Sequence, residues 1–170
     1  MFRTTLGKRT IRTALAVAAT GVTALATAGT AAAAPASHQS KVTPNSVIYA
    51  YAQQNQNTGR CMDDSGAYGL RAFTCNGLNY QEFNWYLQSD GSWVVQNQNT
   101  GRCVDDSGAY GLRGFTCNGL NYQKWTISYW SDGSRTFQNE NTGRCIDDSG
   151  AYGLRSFPCN NLSYQRFYFR

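Results

Sequence analysis

Histidine is all but missing from this 170-residue chain: the single one, His38, lies in the N-terminal tail. That excludes a Ser/His or Cys/His nucleophile pair and removes one of the two usual zinc ligand types. The other type fails on spacing, because the six cysteines include no Cys-x-x-Cys. The acidic residues also lack the dense oxygen spacing of calcium loops. No metal or cofactor is therefore expected. Beyond residue 36 there is no apolar run long enough to cross a bilayer, and no segment with the sustained three-and-four spacing of an amphipathic helix. A basic stripe is lacking too. Of 15 Lys and Arg, four (Arg3, Lys8, Arg9 and Arg12) precede Thr13, which leaves 11 against 10 Asp and Glu. The sequence pI of about 9.0 thus belongs mainly to the N-terminus, and a nucleic-acid partner is excluded.

Those four cations precede a charge-free run, Thr13 to Ala36, of mostly Ala, Val, Leu, Thr and Gly, the layout of a secretory signal peptide. Small residues at Ala31 to Ala36 place cleavage after Ala34 or Ala36. A membrane anchor is the competing reading, and the Ala/Thr/Gly-rich composition argues against it. The expected organisation is a signal peptide at 1–36, a short flexible tail at 37–46 and one domain at 47–170, giving a secreted, extracellular, monomeric protein with no membrane span in the mature chain.

What the chain does have is repetition. Cys61, Cys103 and Cys145 recur at a constant interval of 42 residues, and periods of this size mark repeat architectures. Gln54–Gln81 and Gln96–Gln123 differ only at Met62/Val104 and Ala72/Gly114. The third copy, Gln138–Gln165, departs from the first at Glu140, Ile146, Ser156, Pro158, Asn161 and Ser163. Turn-formers (Asn57-Thr58-Gly59, Asp64-Ser65-Gly66) bracket short strands at Arg60–Asp63 and Leu70–Cys75. Phe83–Leu87, an Asp90-Gly91 turn and Trp93–Val95 read as a hairpin, repeated across Asp132-Gly133. The third copy ends before its hairpin returns, while Val47–Ala52 is an unpaired β-rich segment whose Tyr51 aligns with Trp93 and Arg135. The first segment is therefore expected to complete the last copy and close three units into a ring. That closure removes exposed edge strands and dispenses with the polar caps a linear solenoid needs.

Each copy holds two cysteines 14 residues apart. Identical units in a symmetric arrangement must treat their pairs alike, so Cys61–Cys75, Cys103–Cys117 and Cys145–Cys159 are the expected bridges. Such bridges persist in an exported protein, and each contributes about 3 kcal/mol in the chain-entropy model.

A short polar set remains in each copy: Asp63, Asp64, Asn76, Tyr80 and Gln81 with Phe73; Asp105, Asp106, Asn118, Tyr122 and Gln123 with Phe115; Asp147, Asp148, Asn160, Tyr164 and Gln165 with Phe157. A carboxylate for hydroxyls, an amide that donates and accepts, and an aromatic face for C–H groups suit a shallow sugar site. Asp64 reads instead as the initiator of the Ser65-Gly66 turn. Gln81 reads either as a ligand contact or as a buried residue bonding turn backbone, and Phe73 either as site or as core.

Gly-Arg-Cys-x-Asp, an aromatic two residues before the second Cys, then Gln81-Glu82-Phe83, Gln123-Lys124-Trp125 and Gln165-Arg166-Phe167 together resemble the ricin B-type β-trefoil lectins, over about Val47 to Arg170. Within that family, Asp-x12-Asn followed by Gly-x-Asn-Tyr-Gln-x-aromatic is most similar to the mannose-binding actinohivin type. The resemblance implies an all-β, three-repeat trefoil without metal. It also implies that Asp63, Asp105 and Asp147 grip vicinal hydroxyls, that Asn76, Asn118 and Asn160 are second contacts, and that Tyr80, Tyr122 and Tyr164 line the sites, with Phe73, Phe115 and Phe157 as aromatic faces. Arg71, Arg113 and Arg155 depart from the family pattern, and a forked guanidinium suits acidic or phosphorylated glycans. Ser163 and Asn161 are expected to weaken the third site.

The leading expectation is a trivalent lectin acting on glycans through avidity. A trefoil inhibitor or toxin-like protein binding a protein surface is the alternative, but it leaves the repeated polar set unexplained. A glycoside hydrolase needs two carboxylates flanking one bond, whereas adjacent Asp63 and Asp64 point to opposite faces of a strand.

Overall fold

The computed structural model describes residues 47–170; the expected signal peptide at 1–36 and tail at 37–46 lie outside the described residues. In chain order the strands are β1 (Val47–Asn55), β2 (Cys61–Ser65), β3 (Gly69–Phe73), β4 (Glu82–Leu87), β5 (Trp93–Asn97), β6 (Cys103–Ser107), β7 (Gly111–Phe115), β8 (Lys124–Tyr129), β9 (Arg135–Asn139), β10 (Arg144–Ser149), β11 (Gly153–Pro158) and β12 (Phe167–Phe169). A single 3-10 turn, Asn79–Gln81, Asn121–Gln123 or Ser163–Gln165, precedes β4, β8 and β12.

Six strands close on themselves in the order β1, β4, β5, β8, β9, β12 and back to β1, antiparallel at every step. The register is three-fold: Tyr51 faces Phe83, Trp93 faces Trp125, and Arg135 faces Phe167. The segment at residues 47–55 does supply the partner for the last copy, with Ala52 and Arg170 exchanging backbone hydrogen bonds at 3.1 and 2.9 Å. Three hairpins, β2–β3, β6–β7 and β10–β11, complete the β-trefoil. The Asp-Gly turns are formed, with Gly91 and Gly133 at φ of 87° and 82°. Such φ values carry no Cβ penalty in glycine.

Equivalent positions of the copies meet in one core: Met62, Val104 and Ile146; Phe83, Trp125 and Phe167; Trp85, with Ile127 and Phe169 packed against it. Val95 and Phe137 also belong to it, but their counterpart in β1 is Gln53, fully buried. Its Nε2 donates to the Tyr51 carbonyl at 2.5 Å, and its Oε1 has no partner among the described residues. The three disulfides join the expected pairs within each copy.

Copies are held to each other by polar groups that the local pattern does not reveal. Buried Asn97 donates to the Tyr80 carbonyl of the preceding copy at 2.7 Å and accepts from the amides of Asn99 and Thr100. Asn139 and Asn55 repeat this, the latter across the ring closure to Tyr164. Asp64 belongs here as well, which corrects its reading as a turn residue. It lies within β2, fully buried, and receives Arg102 Nε and Nη2 at 3.0 and 2.5 Å and Thr100 Oγ1 at 2.5 Å, all from the next copy. Asp106 takes Arg144 and Thr142, and Asp148 takes Arg60 and Thr58. A local turn would leave the carboxylate in water, whereas a bidentate guanidinium compensates its burial.

Candidate carbohydrate site

Strand alternation sends Asp63 to the face opposite Asp64. There its carboxylate is 2% exposed, and both oxygens are engaged: Oδ1 accepts from Arg71 Nε at 3.1 Å and Oδ2 from Gln81 Nε2 at 3.2 Å. Gln81 is buried and ties the site together. Its Nε2 also donates to the Thr74 carbonyl at 2.9 Å, and its Oε1 accepts from the Asn76 amide at 2.9 Å. One side chain thereby fixes β2 against the loop after β3, with the disulfide beside it. Of its two readings from sequence, the backbone-bonding one is the one observed. Gln123 and Gln165 reproduce these bonds to within about a tenth of an ångström.

The other expected residues fall around this floor. Asn76 is exposed and its Oδ1 accepts from the Leu78 amide at 3.0 Å, an Asx turn that orients the side chain. Tyr80 is half-buried in the 3-10 turn next to Gln81. Among the described residues, neither its hydroxyl nor the Asn76 Nδ2 has a hydrogen-bond partner. Phe73 is 41% exposed, so it is rim rather than core. Asn118, Tyr122 and Phe115, and Asn160, Tyr164 and Phe157, occupy the same places. In the third copy Asn161 adopts the left-handed conformation, φ 62°, that glycine holds at Gly77 and Gly119, so the hydrogen-bonded frame survives the changes to Asn161 and Ser163.

The position of Asp63 differs from a carboxylate open to solvent beside a surface turn. Arg71 lies over it, and the outward group is the guanidinium. Arg71 Cζ stands 4.5 Å from the ring centre of Tyr68 and 4.3 Å from that of Phe73. Tyr68, 72% exposed at the hairpin tip, is the site residue that sequence reasoning missed. Its signal was an aromatic directly before a turn glycine in every copy, Tyr68-Gly69, Tyr110-Gly111 and Tyr152-Gly153. Arg113 and Arg155 are sandwiched likewise. Asp105 and Asp147 lie under them at 3.1 and 3.2 Å.

Barrel and hairpin triplet together define a β-trefoil, with one polar site repeated in each copy. The family model described as "Ricin-type beta-trefoil lectin domain-like" matches residues 79–156, from the end of the first copy into the third, and bears out the resemblance to the ricin B-type trefoils. Among solved structures, the designed 3-fold symmetric protein ThreeFoil is similar at a TM-score of 0.64 and 16% identity, over 71% of this chain and 96% of that one. A Macrolepiota procera ricin B-like lectin in complex with lactose gives 0.62 and 14%, over 73% and 96%. The hemolytic lectin CEL-III gives 0.62 and 23%, over 72% of this chain but only 30% of its own. These likenesses show the shared fold. No curated protein matches the chain.

Proposed function

We propose that this chain is a secreted, non-enzymatic carbohydrate-binding protein whose three equivalent shallow sites act together on multivalent glycans. One observation carries the reading. The same assembly, a buried aspartate and glutamine fixing a rim of Arg, Tyr, Phe and Asn, recurs three times in a lectin-type trefoil. A structural role alone would not require two exposed aromatic rings per copy, since exposed rings contribute little to the fold. Each site is shallow and individually weak, so useful affinity comes from engaging several sugars of one glycan surface. The ricin B-like lactose complex has the same fold, and mannose-type glycans follow from the actinohivin-like spacing. Against hydrolysis stands the division of the carboxylates: Asp63 faces the rim, while Asp64 is closed on Arg102.

The test is a glycan array followed by calorimetric titration with a bound sugar. Wild type should bind three equivalents of monosaccharide per chain. Asp63→Asn, Asp105→Asn and Asp147→Asn should each remove one, because each loses the anchor of the rim arginine. Asn is preferred to Ala, since orphaning Gln81 and Arg71 beneath the rim costs about 1–3 kcal/mol. A folded triple variant that binds with unchanged stoichiometry would refute the assignment.

A further inference from the structure

Every copy carries two arginines paired with aspartate, and they differ in what is left over. Arg60, Arg102 and Arg144 close their forks on buried carboxylates, using both Nε and Nη2. Arg71, Arg113 and Arg155 use Nε alone. Among the described residues no acceptor faces their Nη1 or Nη2, although the side chains are about 30% exposed. The ion pair is polarised: its aspartate is 2–3% exposed and sits beneath, so the end presented to solvent is cationic. The planar group is clamped between two rings, which fixes its orientation and lowers the entropy cost of using it. Cations on ring faces are held more firmly where partly desolvated.

An oriented guanidinium with its two Nη atoms outward matches a planar or tetrahedral oxyanion bidentately, which a lysine ammonium cannot do. The flanking faces of Tyr68 and Phe73, each substantially exposed, suit the C–H face of the sugar that would carry that oxyanion.

We infer that the three sites select sugars bearing an anionic substituent, a carboxylate, sulfate or phosphate monoester, and that Arg71, Arg113 and Arg155 determine that specificity by receiving the oxyanion on their free Nη atoms. This rests on the carbohydrate-binding reading and narrows it.

The experiment compares the full chain on paired polymers that differ only in charge: polygalacturonate and its full methyl ester, dextran sulfate and dextran, and phosphorylated mannan and mannan. The proteins are wild type, R71Q/R113Q/R155Q and R71K/R113K/R155K, each checked for an intact cooperative melt. Gln keeps an amide donor toward the aspartate without the charge, and Lys keeps the charge without the fork. At least one anionic polymer should bind at least tenfold more tightly than its neutral twin, and which pair responds identifies the oxyanion. That binding should fall at least tenfold in the Gln variant and stay weak in the Lys variant. Equal binding to neutral twins, with no effect of Gln, overturns the selectivity and leaves the sugar-binding reading intact. Wild-type binding by the Lys variant overturns it as well, because charge alone would then account for capture. If no anionic polymer binds, the inference fails: capture of a neutral polymer preserves the lectin reading, whereas a blank here and on the glycan array removes both.

Discussion

Removing Asp64 and removing Arg102 break the same contact between copies, yet the two should not be equally damaging. Asp64→Ala deletes a carboxylate whose side chain is 1% exposed and that accepts three hydrogen bonds. The survivor, Arg102, is 30% exposed and can turn its fork to water. Breaking a buried pair costs about 3–5 kcal/mol, and a partner that rehydrates puts Asp64→Ala at the low end, about 3 kcal/mol. Arg102→Ala leaves the carboxylate in place, buried, with Thr100 as its remaining side-chain donor. That variant belongs at the upper end, about 5 kcal/mol. For a domain of this size about 4 °C of melting temperature accompanies each kcal/mol, so the shifts are roughly 12 °C and 20 °C on that scale. Chemical denaturation of both single variants and the double variant decides it, with the double less damaged than Arg102→Ala because no charge is then stranded. Costs below about 1 kcal/mol for both, the range of surface pairs, or an Asp64 variant worse than the Arg102 variant, would refute the burial argument.

Two further outcomes are expected beside the binding tests above. The Ser134 hydroxyl and amide both donate to Asp132, with smaller contributions from Gln56 and Arg166, and hold its carboxyl down at about 2 from 3.8. Its contribution to stability should be fully present above pH 3.8 and lost as pH falls through about 2; carboxyl NMR titration should show Ser134→Ala moving that pKa upward. Gln53→Val should raise stability by about 1 kcal/mol, since it places the residue of the second copy at a core position and removes a buried oxygen without a partner; a loss of stability in denaturant titration would show that the oxygen is satisfied.

The features legible in the sequence were those written in the 42-residue offset. Constant spacing identified each disulfide, and the alignment of Tyr51 with Trp93 and Arg135 foretold that residues 47–55 would close the ring. The same reasoning failed for Asp64, because Asp-Ser-Gly is also a turn signal and the partner that wins, Arg102, lies 38 residues away. Arg71 was recognised as a departure from the lectin pattern. Its orientation was not legible, since it depends on Tyr68 at the far tip of the hairpin and on Asp63 being covered rather than open. Asn97 was invisible for a similar reason: a turn-rich segment accounts for an Asn without any tertiary partner.

The aspartate clamps run in one direction around the molecule: each copy offers a carboxylate to its successor and a guanidinium to its predecessor, and after three such steps the circuit is complete. Contacts of this head-to-tail kind do not depend on a covalent link between the units. In separate molecules they build rings when the rotation closes and filaments when it does not. Here the rotation closes at three, so a peptide holding one unit has the geometry of a cyclic trimer rather than of a fibre.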